Sequence, residues 1–367
     1  MATAAGRSFV GTFAVVLLAM VALFAIDTFL ARTERVESAA EAARLFAEGQ
    51  GLMRQGANTG AIERFRDAGL IDRGNREYAR ALAEAQLAAG KNADAESTLA
   101  DLLESDSTDA LANLLMARVQ VKENRFEDAA SYFHRAIYGR WKEDAAGNRL
   151  RARFELIDLL AARDARADLL SELLEVQELA PRDARTRLRT ARLFLQAGAP
   201  ARAAPLFEGV LRDDPANGEA HAGLGEAEFE QGKYPDAQRD FGAALRIDPN
   251  NSVARERLDA CNELLELDPT MRSLTTAERF RRGSRLVGMT MEEASRCAGP
   301  TPPPDLQALL EEAEAAQKTP ISPAREGEAA EAGLDLAAQL WQAARKECRP
   351  PPDANSPLAL LMAKVAQ

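Results

Sequence analysis

The residues best able to do chemistry are few: three cysteines and two histidines in 367 residues. Cys261, Cys297 and Cys348 show no C-x-x-C spacing, so neither a zinc site nor a thioredoxin-like redox motif is expected. In an oxidising compartment Cys297 and Cys348 could join across a loop of about fifty residues, stabilising the fold by roughly 4 kcal/mol in the chain-entropy model. In a reducing compartment all three stay thiols, and the spacing leaves both readings open. Cys261, inside a helical stretch, is the odd thiol and is expected to be buried. His134 and His221 each stand alone, without a carboxylate or nucleophile at catalytic spacing. No G-x-S-x-G, Walker A loop or G-x-G-x-x-G occurs, and the GQG at Gly49 and the GLG at Gly223 fall inside helical segments. No catalytic residue, metal ligand or cofactor is therefore expected, and a binding scaffold is the better class. One rival is an enzyme with its site in residues 270–367, against which stands the lack of a paired acid, base or nucleophile there.

Charge narrows the partners. Acidic residues outnumber basic ones 57 to 46, a net charge of -11, so general attraction to phosphate backbones is weak and no nucleic acid is expected. Aromatics are only 5%, which favours Ala-rich helices over strands.

The elements that would position a site begin with an apolar run. Ser8 to Ile26 reads SFVGTFAVVLLAMVALFAI without a charge, about 28 Å of helix and close to a bilayer core. It exceeds a usual signal-peptide core and no clean A-x-A cleavage site follows. The expected order is a tail at 1–7, a transmembrane anchor at 8–30 and a helical stalk at 31–41. Flanking arginines (Arg7 against Arg32, Arg35 and Arg44) do not decide orientation.

Next comes a period. Pro181, Pro215 and Pro249 are 34 residues apart. In the unit that ends on Pro249, Leu224 and Gly225 are followed by Gly232, Tyr234, Ala237, Phe241 and Ala244. This L-G, then G-x-Y-x-x-A-x-x-x-F-x-x-A, then P, resembles the tetratricopeptide repeat (TPR) family, which implies two antiparallel helices per unit stacked into a superhelix. Stepping by 34 gives units at 42–75, 76–109, 110–143, 150–183, 184–217 and 218–251, with the register slipping by six through KEDAAGNR, an insertion expected to be a loop. The expected fold is an all-α TPR solenoid with an N-terminal transmembrane helix and a helical C-terminal extension.

The resemblance implies that the first helix of each unit lines a concave groove for a protein or peptide partner. Its columns supply Phe46, Met53, Leu114, Phe154, Leu188, Leu195 and Phe229 as apolar candidates, flanked by Arg118, Asp158, Arg185, Arg192 and Glu226. Part of this strip could equally be inter-helix core. Position 9 holds Gln50, Glu84 and Arg118, so the family's carboxylate clamp of Lys and Asn is absent.

Residues 252–297 are expected to be capping helices, with Ser252 to Leu267 solvating the array. A short helix would start near Thr276 with Arg279, Arg281, Arg282 and Arg285 as a basic patch, and a second near Thr290. A proline-interrupted helical extension fills 298–367. Its last apolar piece, LALLMAKVA, is too short to span a bilayer and is expected to fold back or to dock on a partner. The functional expectation is a TPR scaffold at a bacterial inner (cytoplasmic) membrane with its soluble part in the periplasm. The alternative is a cytoplasm-facing, membrane-tethered receptor.

Overall fold

The computed structural model describes residues 4–179, 183–299, 301–348 and 356–365, with the side chains of 4–16, 19, 21, 22, 25, 178 and 179 outside that description. Pro181, the first of the spaced prolines, lies outside the described residues. All described elements are helical, and the chain divides into two units, Met1–Arg163 and Asp164–Gln367.

In the first unit α1 (Ala4–Arg54) pairs with α2 (Asn58–Ile71), α3 (Arg76–Ala88) with α4 (Asn92–Ser105) and α5 (Ala110–Lys122) with α6 (Phe126–Tyr138), and α7 (Ala145–Ala162) follows. The second unit holds α8 (Arg166–Leu179), the pairs α9 (Ala184–Gln196) with α10 (Pro200–Asp213) and α11 (Gly218–Glu230) with α12 (Tyr234–Ile247), then α13 (Ser252–Leu267), α14 (Thr276–Ala298), α15 (Pro304–Lys318), α16 (Glu326–Glu347) and α17 (Pro357–Val365).

Local signals recur at the repeat period. Asn75, Asp109, Asp183, Asn217 and Asn251 each accept a backbone N–H of the following first turn, so the first helices start on a side-chain cap. Each first helix of a pair ends on a left-handed residue: Gly56, Gly90, Asn124, Asp164, Gly198 and Gly232, all with φ between +51° and +74°. The step from Asn124 to Asp164 is longer than the others because it contains the insertion. In the second helices Ala61, Ala95, Ala129, Ala203 and Ala237 are fully buried, and four places on stand Phe65, Leu99, Phe133, Phe207 and Phe241, none more than 2% exposed. A small residue and a large one on the same face let adjacent helices approach and then fill the gap.

The insertion is not all loop. Residues 145–149 extend α7 at its start, because Asp144 caps Gly147 and two alanines follow. Only residues 139–144 form a connection, which is tied down by Arg140 N–H donating to Thr108 O at 2.8 Å and Trp141 Nε1 donating to Ala136 O at 2.9 Å.

The two short helices expected around Thr276 and Thr290 are one helix, α14. Gly283 does not break it, because α16 packs along it, a Cβ there lying 3.6 Å from Ala330 O, and at Gly288 a Cβ would lie 3.7 Å from Gln317 Nε2 of α15. The C-terminal piece folds back. Ala359, Leu361 and Met362 of α17 are buried, and Lys364 pairs with Asp268 Oδ2 at 2.5 Å, just beyond α13. The end of the array is thus covered by α17 as well as capped by α13.

Among the described residues no helix is long and apolar enough to cross a membrane. The backbone from Ala4 to Arg54 is one helix, and most side chains of the apolar run 8–26 lie outside the description.

Candidate functional site

In the first unit, first-helix residues of successive pairs line a concave cavity of about 730 Å³, within the roughly 300–1,000 Å³ of ligand sites. Phe46 and Gln50 come from α1, Arg80 and Glu84 from α3, Leu111 from α5, and Trp141 from the inserted connection. Phe46 is half-buried, with its ring 4.8 Å from Tyr78 and 5.4 Å from Phe65, so one edge is packed and the other faces the cavity.

Ion pairs hold the arginines of this cavity in place. Asp106 Oδ2 accepts from Arg76 at 2.9 Å and from Arg140 at 2.6 Å, linking the inserted connection to α3. Its carboxyl is held at about 2, first by the Thr108 hydroxyl and then by the Thr108 N–H and Arg140. Arg80 Nε donates to Asp109 Oδ2 at 2.8 Å in a largely buried pair. With Arg76, Arg80 and Arg140 so engaged, Gln50, Glu77, Glu84, Lys142 and Glu143 remain as the polar groups offered to a partner.

The other expected groove residues have varied positions. In the first unit Met53 packs against the cluster around Phe65, Phe154 is half-buried and Asp158 is exposed. Arg118 is not a free cation: it donates to Glu155 through Nε at 2.8 Å and Nη2 at 2.7 Å, which raises its pKa further. Leu114 is a correction. It is 5% exposed and packs with Phe133 and Leu156, since the face of α5 that carries it meets its neighbours.

In the second unit Arg185 is exposed, Leu188 and Leu195 are half-buried, and Arg192 pairs with Glu219. Glu226 accepts from Arg257 at 2.7 Å, whose guanidinium lies 5.0 Å above the Phe229 ring. Phe229, only 7% exposed and set edge-on to Tyr234 at 5.4 Å, is core as well. The basic patch on α14 is partly spent internally: Arg281 and Arg282 both pair with Glu278, and Arg282 also donates to the carbonyls of Leu265 and Asp268.

The thiols and histidines are placed as follows. Cys297 and Cys348 are joined in a disulfide between the ends of α14 and α16, Cα atoms 4.7 Å apart. Glu293 lies beside the two sulfurs, but disulfide sulfurs are poor metal ligands and Glu293 is paired with Arg296. Cys261 is fully buried, and burial pushes its thiol up to about 11, which makes it unreactive. His134 is exposed on α6.

His221 belongs to a polar cluster that its sequence position did not signal. Its Nδ1 lies 2.8 Å from Asp240 Oδ1 and its Nε2 3.2 Å from Pro215 O. Beside them Glu228 is buried, with Oε2 lacking a hydrogen-bond partner among the described residues. Burial pushes its carboxyl up to about 7; the charges of Asp240 and Asp236 push the same way, while Arg239 opposes them.

The tetratricopeptide repeat family profile matches residues 52–119 and 194–258. Those two stretches carry tetratricopeptide repeats. The Ala–Phe seams described above recur at the repeat period. No curated protein matches the chain. Among solved structures, YrrB, described as a TPR protein with an unusual peptide-binding site, is similar over 53% of this chain and 97% of its own, at 19% identity and TM-score 0.44. Pseudomonas aeruginosa pilF is similar over 61% and 97%, at 16% identity and TM-score 0.42. The TPR2AB domain of yeast Sti1, solved in a pHSP90 complex, is similar over 80% and 99%, at 15% identity and TM-score 0.34. The assignment rests on the family profile and the repeat columns.

Proposed function

We propose that this TPR protein is a binding scaffold that holds a peptide segment of a partner protein in the concave cavity of its first unit. The observation that carries this reading is the cavity itself, with Phe46 and Trp141 as apolar shelves and Glu84 exposed in the same lining. A peptide offering an apolar residue to the shelves and a basic one to Glu84 matches that lining. Gln50 and Glu84 are exposed, so replacing both by Lys leaves the packing intact. Panning a peptide library on the immobilised full chain should enrich ligands that the Gln50→Lys/Glu84→Lys protein no longer holds, at unchanged melting temperature. Equal retention by both proteins would refute the assignment.

The reading extends to a membrane tether through residues 8–30, in the inner membrane of a bacterium with the repeats outside the cytoplasm, in envelope assembly. Leu17, Leu18, Met20, Leu23 and Ile26 are all exposed. At 100° per residue they point all round the helix, which suits lipid better than a one-sided protein contact. The Cys297–Cys348 bond supports an oxidising compartment. Retention in the membrane pellet through carbonate washing, with the N-terminus intact, tests the tether. A C-terminal fusion to a phosphatase active only outside the cytoplasm tests the side: its inactivity would favour a cytoplasm-facing receptor.

A further inference from the structure

Outside the repeats, α14, α15 and α16 enclose a half-open crevice of about 380 Å³. Its space has a packing cause. α14 and α16 close on one another through small residues, a Cβ on Gly333 lying 3.7 Å from Val287 Cγ2. Near the start of α15, Leu306 is buried, and near its end Gln317 Nε2 donates to Ser284 O at 2.6 Å. Between these two points α15 presents Ala315 and Ala316 with Glu312 at the rim, and α16 answers with Ala329 and Ala332. Side chains this short leave an apolar gap floored by Val287 and Leu336.

The charged residues lining the gap are Glu312, Glu328 and Arg325, and the segment that supplies them is acidic. Residues 305–333 hold seven carboxylates and two cations, and both cations are engaged: Lys318 with Glu314 at 3.1 Å and Arg325 with Glu328 at 3.6 Å. Glu312, on the rim, and Glu331 have no ion-pair partner among the described residues. An anionic amphiphile would meet repulsion there, whereas a cationic one gains. We propose that this crevice is a second docking site, for a basic amphipathic peptide segment of a partner protein that sets two apolar side chains, spaced i and i+4, into the gap and its Lys or Arg against Glu312 and the surrounding carboxylates.

The test uses the oxidised full chain and two fluorescein-labelled helical peptides, one with Leu at i and i+4 and Lys on the other face, one with Glu in place of Lys. Fluorescence anisotropy should show saturable binding of the Lys peptide and none of the Glu peptide. Ala332→Phe, which fills the gap, should weaken the Lys peptide at least tenfold. Glu312→Lys, at an exposed position, should weaken it several-fold and flatten its salt dependence at unchanged melting temperature. Equal binding of both peptides would overturn the proposal, and so would Lys-peptide affinity that survives Ala332→Phe, which would mean attraction by the acidic surface alone. Sedimentation showing that the crevice is filled by a second copy, released by Ala332→Phe, would overturn it too. The Gln50→Lys/Glu84→Lys protein should bind the Lys peptide normally, which separates this site from the first unit's cavity.

Discussion

Replacing Glu228 by Gln isolates one buried carboxyl in the second unit. Glu228 sits beside Asp240 and Asp236, with Arg239 the opposing cation and His221 on the far side of Asp240. Its value rises from 4.5 to about 7 on folding, worth about 3 kcal/mol at about 1.4 kcal/mol per pH unit. Because the folded value is the higher one, the stabilisation is complete below pH 4.5 and is lost as pH rises through 7. The wild-type protein should therefore lose about 3 kcal/mol from this group between pH 4.5 and 8, while Glu228→Gln, neutral throughout, should not. Other carboxyls titrate in both proteins, so the variant-minus-wild-type difference removes them. Trp341 is buried in the second unit's core, so its fluorescence in a Trp141→Phe background reports that unit during urea unfolding. The variant should gain about 3 kcal/mol on the wild type across this pH range. A difference that stays flat to within about 0.5 kcal/mol would refute the claim that burial and the neighbouring aspartates hold this carboxyl protonated.

Gly225→Ala would place a Cβ 2.9 Å from the Phe241 ring in a full seam, and denaturation should show a loss of about 1–3 kcal/mol. Arg80→Ala should cost about 3–5 kcal/mol, because it leaves the nearly buried Asp109 carboxylate without its cation; adding Asp109→Asn should recover part of that in a double-mutant cycle. Reducing Cys297–Cys348 opens a loop with a sequence separation of 51, and urea unfolding with and without reductant should differ by about 4 kcal/mol. Non-reducing peptide mapping of freshly isolated protein should contain the linked pair.

The sequence by itself determined the repeat. Small residues, aromatics, capping Asn or Asp and helix-ending Gly recur at a constant spacing, and each acts within one helix pair, so periodicity alone predicts the seams that bury Phe65, Phe133 and Phe241. The candidate site was legible only in part. The first-helix face is shared between neighbour packing and the concave side, so the same column holds Phe46 at the cavity and Leu114 in the core. The sequence reads as two short helices near Thr276 and Thr290, yet α14 runs unbroken through Gly283 and Gly288, because packing against α16 at Gly283 outweighs the roughly 1 kcal/mol that a glycine costs a helix. Residues distant in sequence were settled by the tertiary structure alone: Trp141 of the insertion closing the cavity, Cys297 beside Cys348, Lys364 reaching Asp268, and Glu228 beside Asp240. Such pairings leave no periodic trace, because they depend on how whole helices pack and not on which residues share one face.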